Sequence, residues 1–317
     1  MKKLLLLFVL AILTAVFLCF QIDKIISTPQ KISGEIVFKI NKGDSVQKIA
    51  DELAQKGLVS NAQHFLWYAK FHKIYPNIKA GEYMIDHDVN FADVAEVLQS
   101  GKFYWRKVTI PEGLTAVQIK EILLNNEFLQ GAIPDFAEGE ILPETYTFMS
   151  GETRENIVKQ AKNALNDTLN EIWAQRAENL PLKSPQELLI LASIVEKETG
   201  LPEERDKVAS VFINRLKIGM RLQTDPTVIY AITKGENELG RPLYKKDLSF
   251  ESPYNTYLYA GLPPTPICAA GKEAIYAAAH PANTNYLYFV ASGNGGHNFA
   301  NSLSEHNKNV QHWRKIK

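Results

Sequence analysis

Residues 184–200 read SPQELLILASIVEKETG, and this stretch decides the fold of the larger part of the chain. Ser184 is followed by Pro185 and then by Glu187, the pattern of a helix N-terminus with a capping box. The residues that follow are apolar on nearly every face, which predicts a buried helix. Gly200 and the proline after it end the helix. The sequence therefore predicts one central helix whose last turn carries the charged run Glu-Lys-Glu.

The two carboxylates of that last turn are the candidates for chemistry. Glu196 continues the face of Ala192, whereas Glu198 lies about 200° further around the helix, so they cannot act as a facing pair. A carboxylate at a helix C-terminus meets the negative end of the dipole, and burial removes its water. Both effects raise its pKa, and a carboxylic acid protonated near neutral pH can donate to a glycosidic oxygen. The alternative is a solvated helix end.

Polar residues downstream could contact a sugar. After a second predicted helix, Gln223 and Thr224 lie on a loop before Asp225, which is predicted as the N-cap of a helix whose first residue is Pro226. Their amide and hydroxyl groups suit hydrogen bonds to sugar hydroxyl groups. Tyr254 and Asn255 are further candidates for such contacts. Each of these side chains could equally be structural.

Several blocks of the chain resemble one known family in kind and in order. They are residues 142–146, 192–199, 208–216, 222–227, 254–257, 261–264, 279–281, 286–290 and 295–297. Together they look like the YceG-like endolytic murein transglycosylases, the MltG type. With the segment before residue 140, the resemblance covers nearly the whole chain. The visible departure is Cys268, where a small residue is expected.

This resemblance implies a reaction. Glu196 matches the catalytic glutamate, which would protonate the leaving oxygen between N-acetylmuramic acid and N-acetylglucosamine. As a carboxylate it would then deprotonate the muramyl 6-hydroxyl, so that a 1,6-anhydro ring closes. No cofactor is implied. Retaining hydrolases need a second carboxylate about 5 Å away. Glu144 is the best candidate for a second acid in the cleft, or else it is a turn carboxylate.

The N-terminus predicts a membrane anchor. Lys2 and Lys3 precede an uncharged run from Leu4 to Ile22 that would reach roughly 28 Å as a helix. The positive-inside rule places this end in the cytoplasm and the remainder outside, at the periplasmic face of the inner membrane. A cleaved signal peptide would need small residues at its end, where bulky ones stand. A lipoprotein signal at Cys19 would need a small residue in place of Leu18.

Three parts follow from these patterns. Residues 1–25 form a cytoplasmic stub and transmembrane anchor, residues 34–101 a small α+β module, and residues 102–317 the catalytic domain. The module resembles a LysM-like domain through Lys42–Ala50, which implies binding to glycans that contain N-acetylglucosamine; the alternative is a spacer. Its second helix has an apolar set that includes Phe65 and Phe71. The predicted fold class is α+β, with an N-terminal transmembrane helix, the LysM-like module and a larger helix-rich catalytic domain.

Composition excludes several classes of function. Basic and acidic residues balance at 35 each, so no nucleic-acid partner is expected. The seven histidines and two cysteines include no metal-binding spacing, and no serine-hydrolase elbow occurs. The expected partners are glycan strands, the cytoplasmic membrane and, by resemblance, wall synthases such as penicillin-binding proteins. Two other functions stay open: a non-catalytic glycan-binding scaffold of the cell wall and a hydrolytic muramidase.

Overall fold

The computed structural model describes residues 2–316, with side chains from Leu6 onward. Met1 and the side chains of the predicted cytoplasmic stub lie outside the described residues. The chain is helix-rich α+β and forms two compact units. The first comprises the chain up to Arg106 together with Phe148–Ser150, and the second comprises Lys107–Thr147 and Gly151 onward.

The first unit begins with a long apolar helix, α1 (Lys2–Ser27). Its segment Leu6–Ser27 has 22 residues and is long and apolar enough to cross a membrane. From Leu6 onward the helix is exposed until its last turn, where Ile25 and Ile26 contact the core of this unit. The predicted N-terminal apolar helix is therefore present, with its last turn docked on the module that follows.

That module is a two-stranded antiparallel sheet covered by helices, in which Phe38 lies opposite Tyr83. Its elements are β1 (Ile36–Ile40), α2 (Val46–Gln55), α3 (Ala62–Phe71), β2 (Gly81–Ile85) and α4 (Phe91–Ser100). The turn before α2 offers Asp44 or Ser45 as the N-cap, and Ser45 takes this role by accepting a hydrogen bond from the backbone N–H of Lys48.

One prediction in this module is wrong. Phe71 was assigned to the apolar face of α3, but its side chain is 84% exposed. Phe65 and Ala69 define the buried face of α3. Phe71 follows Phe65 by six residues, which turns it well away from that face.

The second unit is built around helices, with short strands at its edges. Its helices are α5 (Ala116–Asn125), α6 (Arg154–Ala174), α7 (Pro185–Glu198), α8 (Arg205–Lys217), α9 (Asp225–Thr233), α10 (Lys272–Ala279) and α11 (Leu303–Ile316). The strands pair as β3 (Arg106–Thr109) with β5 (Thr145–Phe148), β4 (Leu129–Gln130) with β6 (Glu152–Thr153), and β7 (Tyr288–Ala291) with β8 (His297–Ala300). Strand β7 is half-buried and forms an antiparallel hairpin with β8.

The centre of the second unit is α7, and its predicted burial is confirmed. Leu188 to Val195 are all buried, and they pack against α6, α8 and α10. Ser184 caps the helix by accepting from the N–H of Glu187, but the predicted capping box is only half formed. The Glu187 carboxylate accepts from the N–H of Lys183 instead of that of Ser184. Burial of the whole helix leaves its C-terminal turn in a fixed place.

Candidate functional site

The segment before α10 runs along the last turns of α7 and holds them with three hydrogen bonds. The N–H of Ile267 donates to Oγ of Ser193 at 3.0 Å, and the Cys268 thiol donates to the carbonyl of Ser193 at 3.3 Å. The N–H of Gly271 donates to Oε2 of Glu196 at 2.9 Å. Burial raises the pKa of the Cys268 thiol, so it stays protonated. These bonds fix the carboxylate of Glu196 against the start of α10.

A second wall of the site is the turn between β3 and α5. The N–H of Gly113 donates to the carbonyl of Ala269 at 2.9 Å, and the N–H of Ala269 donates to the carbonyl of Leu114 at 2.8 Å. The Lys197 ammonium reaches the carbonyl of Gly113 at 3.2 Å. The turn is therefore tied both to the segment before α10 and to the end of α7.

A guanidinium lies between two carboxylates in this site. Nη2 of Arg205, at the start of α8, lies 3.6 Å from Oε2 of Glu112 and 3.9 Å from Oε1 of Glu196. The Glu112 side chain is 43% exposed, whereas that of Glu196 is only 6% exposed. Both distances are long for a hydrogen bond, so Arg205 acts on the two carboxylates through charge.

The balance of these groups raises the pKa of Glu196. Burial is the main cause, and the negative charge of Glu112 adds to it. The Gly271 N–H and the charges of Arg205 and Lys197 oppose the rise. Burial and the dipole of α7 were predicted from the sequence, whereas the N-terminal end of α10 and the two cations were not.

Glu198 occupies a different environment on the other side of α7. Its carboxylate accepts a short hydrogen bond from the hydroxyl of Thr224. Burial raises the pKa of Glu198 to about 7, and the nearby charge of Asp225 adds to the rise. The Thr224 hydrogen bond and the charges of His297 and Arg215 oppose it. Glu196 and Glu198 thus have separate partners, as their angular separation predicts.

The loop before α9 is held in place by buried polar groups. The N–H of Thr224 donates to Oγ1 of Thr256 at 3.1 Å, and the N–H of Gln223 donates to the carbonyl of the same residue at 3.2 Å. Nη1 of Arg215 donates to the carbonyl of Leu222 at 2.6 Å. Gln223 has a left-handed backbone with φ of 49° and an exposed side chain. The loop therefore presents Gln223 outward while Thr224 faces inward.

The predicted start of α9 is off by one residue. Thr224 is the N-cap and Asp225 is the first helical residue, whereas Asp225 was predicted as the cap. The Thr224 hydroxyl makes no capping bond because it donates to Glu198. Asp225 is exposed and accepts a hydrogen bond of 2.6 Å from the hydroxyl of Tyr257.

The other side chains that were predicted to contact a sugar differ in their exposure to solvent. Tyr254 is half-buried, and its hydroxyl lies 2.7 Å from that of Thr265. Asn255 is completely buried, and its amide N–H groups go to two loop carbonyls while its oxygen accepts from Tyr257. The side chain of Asn255 is thus bonded within its own loop, and its contact with a sugar stays a prediction. Glu144 is exposed beside β5.

Sequence reasoning missed Glu112, Arg205 and Gly271 as parts of the site. Glu112 stands in a Pro-Glu-Gly turn, and Arg205 stands in a charged run that begins a helix. Neither pattern distinguishes a site residue from a surface charge. Gly271 contributes its backbone N–H, which leaves no signature in the side-chain pattern.

An open groove adjoins this site in the second unit. It encloses about 520 Å³ and is lined by Lys197, whose neighbour in sequence is Glu196, and by Tyr230, Gln118 and Asn237. Such a volume lies in the range of natural ligand pockets. Among residues 2–316, no group of three or more His, Cys, Asp or Glu side chains is placed to hold a metal ion.

Comparison with known proteins gives consistent matches. The family model described as "YceG-like family" matches residues 38–312. A Bacillus subtilis protein named endolytic murein transglycosylase is 34% identical over 85% of this chain and 82% of its own length. A Streptococcus pneumoniae serotype 2 protein of the same name is 28% identical over 92% of this chain. The alignment spans only 60% of the streptococcal protein.

One solved structure is similar across most of the chain. It is a crystal structure of a YceG-like protein from Listeria monocytogenes, with a TM-score of 0.53 and 32% sequence identity. The match covers 86% of this chain and 98% of the Listeria chain. The resemblance noted from the sequence blocks is therefore confirmed over both units.

Proposed function

The chain belongs to the YceG-like family, and from this premise we propose that it is an endolytic murein transglycosylase whose acid–base residue is Glu196. The observation that carries the residue assignment is the environment of this carboxyl group. Its side chain is almost enclosed, its pKa is raised by burial, and the Gly271 N–H fixes its orientation. A group of this kind can hold a proton near neutral pH and release it to a bound substrate.

The proposed reaction has two proton transfers at one carboxyl group. Protonated Glu196 donates its proton to the bridging oxygen as the bond from C1 of N-acetylmuramic acid to that oxygen breaks. The resulting carboxylate accepts the proton of the muramyl 6-hydroxyl as the oxygen of that hydroxyl bonds to C1. The product carries a 1,6-anhydro ring, and Glu196 ends in its starting state. Because the nucleophile belongs to the substrate, no water is consumed.

The remaining predicted residues are proposed to serve the glycan in two ways. Gln223, Asp225, Tyr254 and Glu144 retain exposed or half-buried polar groups, which supports contact with sugar hydroxyl groups. Thr224 and Asn255 are buried and are proposed to position the loops that carry those groups. The groove beside Lys197 supports this arrangement, because it is large enough for a saccharide.

A hydrolytic muramidase is the second candidate function. The observation that favours it is Glu112, a half-exposed carboxylate that shares Arg205 with Glu196. A second carboxylate of this kind could activate a water molecule, as in glycoside hydrolases. The masses of the products separate the two reactions.

We expect purified peptidoglycan sacculi treated with the enzyme to release fragments that end in 1,6-anhydro-muramic acid. Such a fragment is one water lighter than its hydrolytic counterpart, so mass spectrometry identifies the reaction. Fragments with reducing muramyl ends would instead assign a muramidase. If the protein binds sacculi but releases no fragment, its function is that of a non-catalytic glycan-binding scaffold.

The proposed location follows from α1. We place its N-terminus in the cytoplasm and the part of the chain after α1 outside the cytoplasmic membrane, where the glycan strands are. The length and composition of Leu6–Ser27 support a single span. Retention of the protein in carbonate-extracted membranes is the expected result. A soluble mature form that lacks the residues before Gln21 would contradict it.

The domain roles are proposals of the same kind. Residues 34–101 are proposed as a LysM-like glycan-binding module and residues 102–317 as the catalytic domain. The capped turn and helix at Ser45 support the first assignment. Wall synthases such as penicillin-binding proteins are proposed partners, because they would act on the same strands in the same membrane.

The Glu112→Gln change is expected to move the basic limb of the pH–activity profile to lower pH. The negative charge of Glu112 raises the pKa of Glu196, so its removal lets Glu196 lose its proton at lower pH. Activity at neutral pH should fall, but by less than for a change at Glu196. Initial rates of fragment release across the pH range provide the measurement.

The opposite change tests the same balance. Arg205→Met removes a cation that lowers the pKa of Glu196. The basic limb of the pH–activity profile of this variant should therefore move to higher pH. If the basic limbs of the two variants shift in the same direction, or do not shift, then Glu112 and Arg205 do not set the pKa of Glu196.

A further inference from the structure

Two large aromatic side chains stand out from the surface of the first unit. Trp67 is 62% exposed and Phe71 is 84% exposed. They lie four residues apart on α3 and therefore share one face of that helix. Apolar rings exposed to water are unfavourable, and adjacent ones of this size indicate a surface that contacts something else.

This face belongs to a helix that packs beside the end of the apolar helix α1. Both α3 and α4 contact α1, and the last turn of α1 contributes Ile25 and Ile26 to the core around them. A helix fixed against the last turn of a membrane-crossing segment cannot move far from the membrane surface. Helix α3, which carries the aromatic face, is therefore held close to the level of the lipid headgroups.

The charges on the same helix fit an anionic lipid surface. Lys70 lies between Trp67 and Phe71 in sequence and is exposed, and Lys73 follows just after the helix. Helix α3 itself contains no acidic residue. Basic side chains near the surface of an anionic leaflet each contribute on the order of 1 kcal/mol to its attraction.

We propose that the Trp67–Phe71 face of α3 inserts into the interface of the bilayer that α1 crosses. Tryptophan and other aromatic rings are enriched at the level of the headgroups, where an apolar ring meets a polar layer. The basic residues then lie against lipid phosphates. This contact would add a second attachment to the membrane and hold the module of residues 34–101 on its surface. The inference rests on the anchor proposed above.

Lipid quenching of tryptophan fluorescence tests this contact with the full-length protein. The protein is reconstituted into vesicles of phosphatidylcholine and phosphatidylglycerol whose acyl chains carry bromine close to the headgroup. The chain has four tryptophans, at positions 67, 105, 173 and 313, and none of them lies in α1. Trp67→Phe is compared with Trp105→Phe, the matched control, because Trp105 is 52% exposed in the same unit.

We expect bromine to quench part of the wild-type fluorescence and Trp67→Phe to lose most of that quenchable part. Trp105→Phe should keep it. The proposal is overturned if Trp67→Phe leaves the quenchable part unchanged or if Trp105→Phe removes as much. It is also overturned if oligomers of N-acetylglucosamine change Trp67 emission while bromine does not, because the face would then bind saccharide.

The anchor is tested separately on the same vesicles. Wild-type protein should remain after carbonate extraction, and the Trp67→Ala/Phe71→Ala variant should remain as well, because α1 holds both. Loss of the wild type on extraction contradicts the anchor. Retention of the wild type without quenching of Trp67 contradicts only the docking of α3.

Discussion

Replacement of Glu196 by Gln is expected to reduce the release of peptidoglycan fragments by at least about a hundredfold, the usual contribution of a positioned acid–base group. The amide keeps the shape of the side chain and can still accept from the Gly271 N–H. It cannot donate a proton of suitable acidity to the glycosidic oxygen or accept one from the 6-hydroxyl. The fold should therefore persist while both proton transfers fail.

The matched control is Glu203→Gln, which removes an exposed carboxylate soon after α7. It should release fragments at close to the wild-type rate. Circular dichroism spectra of the Glu196→Gln and Glu203→Gln variants should match that of the wild type if both variants are folded. If Glu198→Gln loses activity while Glu196→Gln keeps full activity, then the acid is Glu198 and not Glu196.

Replacement of Glu198 by Gln is expected to stabilise the second unit at alkaline pH. The pKa of Glu198 is raised from 4.5 to about 7 in the folded protein, so the folded state holds this proton more tightly than the unfolded state. The stability contributed by Glu198 is complete below about pH 4.5 and is lost as the pH rises through 7. At about 1.36 kcal/mol per pKa unit, the loss approaches about 3 kcal/mol.

Glutamine has no such proton to lose. At about pH 8 the Glu198→Gln variant should therefore have the larger free energy of unfolding, and near pH 4 the two proteins should be similar. Denaturant unfolding in detergent at several pH values measures the difference, with Glu203→Gln as the control that should follow the wild type. A Glu198→Gln variant that is less stable than the wild type at every pH would show that the ionised carboxylate is favourable where it lies.

Local patterns were enough to place α7 and the N-terminal helix. The apolar run of α7 needs burial wherever it is placed, and Glu196 must then lie in the last turn of a buried helix. The long apolar helix at the N-terminus is decided in the same way. Each depends on residues within one or two turns, whose periodicity and capping groups are visible in the sequence itself.

The sequence could not show which polar side chains the fold itself would use. Asp225 was predicted as the cap of α9, but Thr224 is the N-cap and its hydroxyl goes to Glu198, 26 residues earlier, so the helix starts without a side-chain cap. Asn255 has the polar side chain of a sugar contact, yet it is completely buried and bonds to neighbouring loop carbonyls. Burial of this kind depends on packing between elements and leaves no local signal.

The sequence by itself determined that Glu196 lies in the last turn of a buried helix and that the chain begins with an apolar helix long enough to cross a membrane. Only the tertiary structure decided what surrounds that carboxylate. The Gly271 N–H comes from 75 residues further along the chain, and Glu112 and Arg205 arrive from two other segments. A pKa depends on charges and hydrogen bonds within a few ångströms in space, and separation along the chain does not specify these.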